Sequence, residues 1–204
     1  KRPALGIVAD EAVPLARSTC HTKNIRPDST LARIDKLPMD PEKGTKGRHM
    51  PITLAVGAKA PAFKLPRDGG ETTSLADFKG RKLVLFFYPK ADTPGCTTES
   101  IEFSKLKAQF QKADTEILGV SADPVAAQDK FKTKHKLTVG LASDEAHKIL
   151  DAYGVWGEKS MYGKSFMGIL RTTVLVGRTG KVERIWRNVK VDGHADEVLK
   201  ALGE

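Results

Sequence analysis

Cysteine is scarce in this chain: Cys20 and Cys96 are the two thiols among 204 residues. That number leaves no disulfide framework, no Cys-x-x-Cys redox pair and no thiolate metal cluster, so a reducing compartment, the cytoplasm, is expected. Histidine offers no metal site either. His21, His49, His135, His147 and His194 show neither His-x-x-x-His nor mixed His/Cys spacing, and each reads as a surface residue. Neither a metal nor a cofactor is expected. Long apolar runs are also missing. The stretch Leu83 to Tyr88 is far too short to span a bilayer. Asp10, Glu11 and Arg17 interrupt each candidate for a secretory leader. A soluble, non-secreted protein without a membrane role is the expectation.

The hydrophobic fraction, 40%, is low for a compact globule and points to a part of the chain that is not packed. Residues 1–49 fit that part. Pro3, Pro14, Pro27, Pro38 and Pro41 recur through them with no sustained apolar period. Such a segment buries too little apolar surface to offset its ordering entropy. Its ten Lys/Arg against six Asp/Glu make it basic, yet too acid-rich for an organelle transit peptide. Patterning begins at Met50. The reading is a low-order basic extension over 1–49, non-native or mis-started, followed by a folded domain over 50–204. The formal charge of +9 is scattered among acids along helical stretches, which describes a solvated surface and no specific nucleic-acid site.

From Met50 onward the elements are legible. Asp68-Gly69-Gly70 is a turn between two short extended pieces, and Ser74 to Gly80 is a short capped turn. Leu83 to Tyr88, halted by Pro89, has the unbroken apolar character of a central strand buried on both faces. A helix is expected from Thr93-Pro94-Gly95 to about Gln111, with Ile101, Leu106 and Phe110 on its apolar side. Glu116–Ser121 reads as a second strand. Asp123-Pro124 should open a second helix, with Asp as N-cap and Pro in the first turn. A third strand is expected over Leu137–Ala142, then a helix capped by Ser143-Asp144-Glu145 and ending near Tyr153-Gly154. A hairpin over Arg171–Val176 and Lys181–Trp186 and a last helix over Ala195–Leu202 complete an α/β sheet with helices on both faces.

The loop after the first central strand carries the chemistry. A strand ending at Pro89 delivers its successor to the carboxyl edge of the sheet, where open α/β sheets place ligands. Thr93 suits the N-cap, Pro94 the first helical position, and Cys96 then falls in the first turn. Unpaired N–H groups and the helix dipole favour an anion there. A free thiol is only a few per cent thiolate at neutral pH, and helix starts beside a cation raise that fraction. The bland alternative, a small buried hydrophobe, is opposed by Asp92, Thr93, Thr97, Thr98 and Glu99, which imply a polar loop edge.

Phe87-Tyr88-Pro89-Lys90-Ala91-Asp92-Thr93-Pro94-Gly95-Cys96-Thr97-Thr98-Glu99 resembles the Pro-x-x-x-Thr-x-x-Cys signature of peroxiredoxins, in the form of the bacterioferritin comigratory protein (PrxQ) subfamily. Gly119–Asp123, Ser143-Asp144, Tyr153–Lys159 and Gly168–Arg171 extend the likeness over about residues 53–204. The resemblance implies a thioredoxin-like fold with a mixed central sheet, and a thioredoxin-dependent thiol peroxidase. Cys96 would be the peroxidatic cysteine, attacking the O–O bond and becoming a sulfenic acid. Thr93 would hydrogen-bond the peroxide or thiolate, Arg171 would lie beside the sulfur, and Pro89 would shape and shield the pocket. The substrates implied are hydrogen peroxide and organic hydroperoxides, with a monomer or weak homodimer as the assembly. Tyr153 and Trp156 read as packing residues.

One departure matters. Many members of this subfamily carry a resolving cysteine five residues after the peroxidatic one, where this chain has Ile101, and Gln128-Asp129-Lys130 on the next helix offers no thiol. A one-cysteine cycle follows, completed by thioredoxin, glutaredoxin or glutathione. A disulfide oxidoreductase would need a Cys-x-x-Cys pair. A glutathione-peroxidase-like reading lacks that family's Gln/Trp pattern. A redox-inactive or chaperone-like binding module is opposed by the joint presence of Thr93, Cys96 and Arg171.

Overall fold

A computed structural model of the chain describes residues 54–161 and 164–203. The readings made above for residues 1–49, including Cys20, His21 and His49, lie outside these. Strand β1 (Lys64–Pro66) and β2 (Thr72–Ser74) form a small antiparallel ribbon around the Asp68–Gly70 turn. A short 3-10 turn, Leu75–Phe78, follows with a capping box in which the Ser74 amide donates to Asp77 Oδ2 at 2.7 Å. Then come β3 (Lys82–Phe87), α1 (Pro94–Lys112), β4 (Thr115–Ser121), α2 (Val125–His135), β5 (Gly140–Ser143) and α3 (Lys148–Ala152). A second ribbon, β6 (Trp156–Met161) and β7 (Lys164–Ile169), precedes β8 (Thr172–Val176), β9 (Val182–Arg187) and α4 (His194–Lys200).

The main sheet has the order β5-β4-β3-β8-β9. Strand β3 runs parallel to β4 and antiparallel to β8, so the sheet is mixed, as expected. Alternation along β3 feeds two cores. Leu83, Leu85 and Phe87 face one side with Leu150, Tyr153 and Val174; Val84, Phe86 and Tyr88 face the other with Phe103, Phe110, Phe131 and Val198. Helices α1, α2 and α4 cover the second side and α3 the first. Strand β3 therefore reads as a continuous apolar run because both its faces are buried.

Several local expectations shift. Pro124, not Asp123, occupies the N-cap of α2. The Asp123 carboxylate is engaged elsewhere, accepting from the Ala91 amide at 2.7 Å and from the Ser121 hydroxyl at 2.8 Å. The third strand begins at Gly140, because Lys136 adopts a left-handed conformation that ends α2 and spends Leu137–Val139 on the connection. Helix α3 starts at Lys148, four residues after the carboxylate that caps it: Asp144 Oδ2 accepts from the Ile149 and Leu150 amides at 2.8 Å. In α1, Phe103 is fully buried while Ile101 and Leu106 are only partly so. His194 is not a surface residue. It is 3% exposed, its Nε2 lies 2.8 Å from the Thr173 hydroxyl, and burial holds its pKa below the usual value. Tyr153 packs as expected, its ring 5.2 Å from that of Phe87 and its hydroxyl donating to the Pro61 carbonyl.

Gly119 in β4 is a close-packed point between the sheet and the α1-side core. A Cβ there would come within 2.6 Å of Phe86 Cζ and 3.0 Å of Leu141 Cδ2. The ring and the methyl are both buried in the core, so Gly119→Ala is expected to destabilise the fold by about 1–3 kcal/mol through overpacking. The measurement is the urea midpoint at unchanged m-value.

Candidate active site

The strand register brings the site together. In β3–β8 pairing, Phe87 stands opposite Thr172, so the residue just before β8, Arg171, emerges at the edge where β3 ends. The chain leaving β3 passes Pro89, which is partly buried, and turns at Asp92, whose φ of 60° is left-handed. It then enters α1 with Pro94 in the first turn. Asp92 is held in this conformation by three contacts from two side chains of α2: Lys134 Nζ at 2.7 and 3.0 Å and His135 Nε2 at 2.7 Å. These, with the Asp123–Ala91 bond, tie the loop to α2 and β4.

Cys96 sits in the first turn of α1, 1% exposed. The polar loop edge expected from its neighbours is instead a buried position within the α1-side apolar core, with an ionic pair on one side. Arg171 Nη2 donates to Cys96 Sγ at 3.2 Å, and Nη1 forms an ion pair with Glu99 Oε2. Cys96 and Glu99 are one helical turn apart, so both face the same guanidinium. Gly95 leaves the approach open: a Cβ there would lie 3.4 Å from Arg171 Nη2. Burial works against the charge of Arg171, but Glu99 and then Cys96 hold it protonated more firmly than usual. Burial pushes the Glu99 carboxyl up to about 7, against the pull of Arg171, and its Oε1 has no hydrogen-bond partner.

Thr93 takes the N-cap position by its backbone, its carbonyl accepting from the Thr97 amide at 2.8 Å. Its hydroxyl does not cap the helix; it donates to the Lys90 carbonyl at 2.9 Å. With its one proton committed, the oxygen keeps lone pairs for an incoming donor. Thr93 thus belongs to the loop that presents Cys96, and Pro89 marks where that loop leaves β3. Two functional features escaped the sequence reading. Sequence alone shows Glu99 as no more than a polar neighbour, although a carboxylate three residues after a first-turn cysteine shares its helix face. A buried network was missed altogether: Tyr88 Oη donates to Gln128 Oε1, and Gln128 Nε2 donates to Ser121 Oγ at 2.7 Å.

A first-turn cysteine held by an arginine, at the carboxyl edge of a thioredoxin-like sheet, defines a thiol-based redox enzyme. The chain belongs to the AhpC/TSA family, whose model matches residues 56–185. Peroxiredoxin Bcp of Bacillus subtilis (strain 168) is 44% identical over 151 residues, covering 74% of this chain and 96% of that protein. A solved structure of Xanthomonas campestris peroxiredoxin Q is similar with a TM-score of 0.66 at 46% identity, covering 69% of this chain and 89% of that one. Another, of the Xanthomonas campestris bacterioferritin comigratory protein in work on its alkyl peroxide reduction activity, has a TM-score of 0.66 at 45% identity over 69% and 90%. The chain is accordingly a peroxiredoxin of the Bcp/PrxQ kind, and a thiol peroxidase.

The raised carboxyl has a consequence for stability. Glu99 titrates near 7 when folded against an ordinary 4.5, so the folded state holds this proton more tightly. Its contribution is full below about pH 4.5 and is lost as pH rises through about 7. Glu99→Gln removes that titration. The unfolding free energy of the variant is expected to fall less steeply across this window than that of the wild type, as read from urea midpoints at its two ends. Equal slopes would exclude a buried, proton-binding Glu99.

Proposed function

We propose that this protein reduces hydrogen peroxide and organic hydroperoxides at Cys96 by a one-cysteine cycle, with an external thiol as reductant. The observation that carries the reading is the 3.2 Å contact between Arg171 Nη2 and Cys96 Sγ in the first turn of α1. The guanidinium and the helix start both face the sulfur. The thiolate attacks one peroxide oxygen and the O–O bond breaks. Cys96 becomes a sulfenic acid, and the leaving oxygen takes a proton to depart as water or an alcohol. Arg171 faces the negative charge that develops on the oxygens during this step. The Thr93 hydroxyl, which already donates to Lys90, accepts from the peroxide O–H and orients it. Pro89 walls the loop. A thiol then attacks the sulfenic sulfur and expels water, and a second thiol releases Cys96 as the mixed disulfide breaks.

The external reductant is thioredoxin, glutaredoxin or glutathione, a choice supported by Ile101 standing where a resolving cysteine could act and by the absence of a thiol on α2. The proposed setting is the cytoplasm, with the protein a monomer or weak homodimer. Residues 1–49 are proposed to be an extension that the peroxidase domain, 50–204, does not need for turnover.

Peroxide consumption with each thiol donor tests this reading. Cys96→Ser is expected to fall to background, Arg171→Met to lose about 10²–10³-fold in rate, and Cys20→Ser to turn over like the wild type. Wild-type rates in Cys96→Ser would refute the peroxidatic assignment. A Cys20–Cys96 disulfide after peroxide treatment, with turnover lost in Cys20→Ser, would replace the one-cysteine cycle by an internal one.

A further inference from the structure

The β6–β7 hairpin stands outside the five-stranded sheet and runs straight into the active-site arginine, since β7 ends at Ile169, two residues before Arg171. Its register pairs Trp156 with Ile169, Gly157 with Gly168, Glu158 with Met167 and Lys159 with Phe166. Cross-strand partners share a face. One face therefore carries Trp156, Ile169, Glu158 and Met167, and its base is anchored, with Ile169 2% exposed and Trp156 packed against the core. The opposite face begins with two bare glycines, followed by Lys159 and Phe166.

Leu170 lies over Gly157, where a Cβ would meet its Cδ1 at 3.3 Å, and Gly168 leaves room for a second side chain to lie flat. A Cβ at Gly168 would meet Lys159 Cδ at 3.3 Å and Phe166 Cε2 at 3.6 Å. Position 168 is two residues nearer the hairpin base than position 166, so the Lys159 stem runs diagonally back across Gly168 towards Arg171. The ammonium comes within electrostatic reach of the site: burial and then Arg171 pull its pKa below the usual value, while Cys96 opposes them. Its charge also differs in kind from that of Arg171. Arg171 is offset by Glu99, whereas no carboxylate pairs with Lys159 among the described residues. Phe166, 43% exposed, adds an apolar surface beside the ammonium's stem.

From this placement we infer that Lys159 is a specificity-determining residue that selects small organic hydroperoxides carrying a carboxylate a few bonds from the O–O group. The peroxide end meets Cys96 and Arg171, the carboxylate meets the Lys159 ammonium, and the intervening carbons lie against Phe166. A singly charged anion matches a lone ammonium; a dianionic phosphate calls for the several donors of a fork or a cradle. The chemistry is that proposed above: the thiolate takes one oxygen as sulfenic acid, and the hydroxy acid leaves with the other.

The inference rests on the peroxidase reading, and two readouts separate them. The first is alkylation of Cys96 in a Cys20→Ser background by iodoacetate and by iodoacetamide, reagents that differ chiefly in charge. Lys159→Met is expected to lower the iodoacetate-to-iodoacetamide rate ratio about fivefold at low salt, and Lys159→Arg to keep it. The second is steady-state turnover. In Lys159→Met, KM for 3-hydroperoxy-3-methylbutanoate should rise several-fold while that for tert-butyl hydroperoxide stays put. An unchanged alkylation ratio, or equal slowing with both reagents, would overturn the inference, because the effect would then not depend on the ligand's charge. A wild type that consumes neither hydroperoxide would sink the peroxidase reading and this substrate class together, while charge selection at Cys96 would still be read from alkylation.

Discussion

The guanidinium of Arg171 bridges Glu99 and Cys96, and the rest of the site is arranged so that this bridge forms inside the protein. Two of these groups are poorly suited to burial alone: a carboxylate with one unpartnered oxygen and a guanidinium with little exposure. Buried charge is tolerable only when paired, and removing one member leaves the other stranded. The ion pair thus allows Arg171 to be present at all, while its second nitrogen remains for the sulfur. The antiparallel β3–β8 pairing delivers the arginine, and the parallel β3–β4 arrangement makes room for the helix that delivers the cysteine and the glutamate.

Geometry at such a site depends on the loop between β3 and α1. Asp92 holds a left-handed conformation there and is secured by Lys134 and His135. Asp123 accepts the Ala91 amide, and the Tyr88–Gln128–Ser121 chain joins β3, α2 and β4 beneath the same loop. Surface ion pairs such as Asp92–Lys134 contribute little to stability by themselves. Their effect here is to fix a short segment whose backbone would otherwise wander, and the buried amide network beneath gives that segment a rigid floor.

Much of this is legible in the sequence alone. An apolar run ended by proline announced β3, and the Thr93-Pro94-Gly95-Cys96 order announced a helix start with a thiol in its first turn. What escaped was information that resides in space. The β6–β7 hairpin is interrupted by Gly157, Gly168, Lys159 and Ser165, so its alternation is too weak to register as strand. His194 is buried by elements from distant parts of the chain, Thr173, Phe103 and Trp186, which no local spacing reveals. Asp123 looked like an N-cap because it precedes proline, yet the tertiary demand of the Ala91 amide claims its carboxylate. Glu99 carried a signal in its helical spacing from Cys96, one that becomes meaningful only when a cation is known to stand opposite.

The near-complete burial of the Cys96 sulfur, 1% exposed, makes the two halves of a catalytic cycle unequal in bulk. A peroxide presents two slim oxygens and needs only a narrow channel. A reducing thiol must bring a larger sulfur, with its own substituents, into line with the sulfenic sulfur. In the packed first turn of α1, with the Thr97 amide bonded to the Thr93 carbonyl and the guanidinium on the sulfur, there is little width for that larger approach. Burial of the sulfur thereby sets a demand on molecular width that a slim oxidant meets more readily than a substituted thiol.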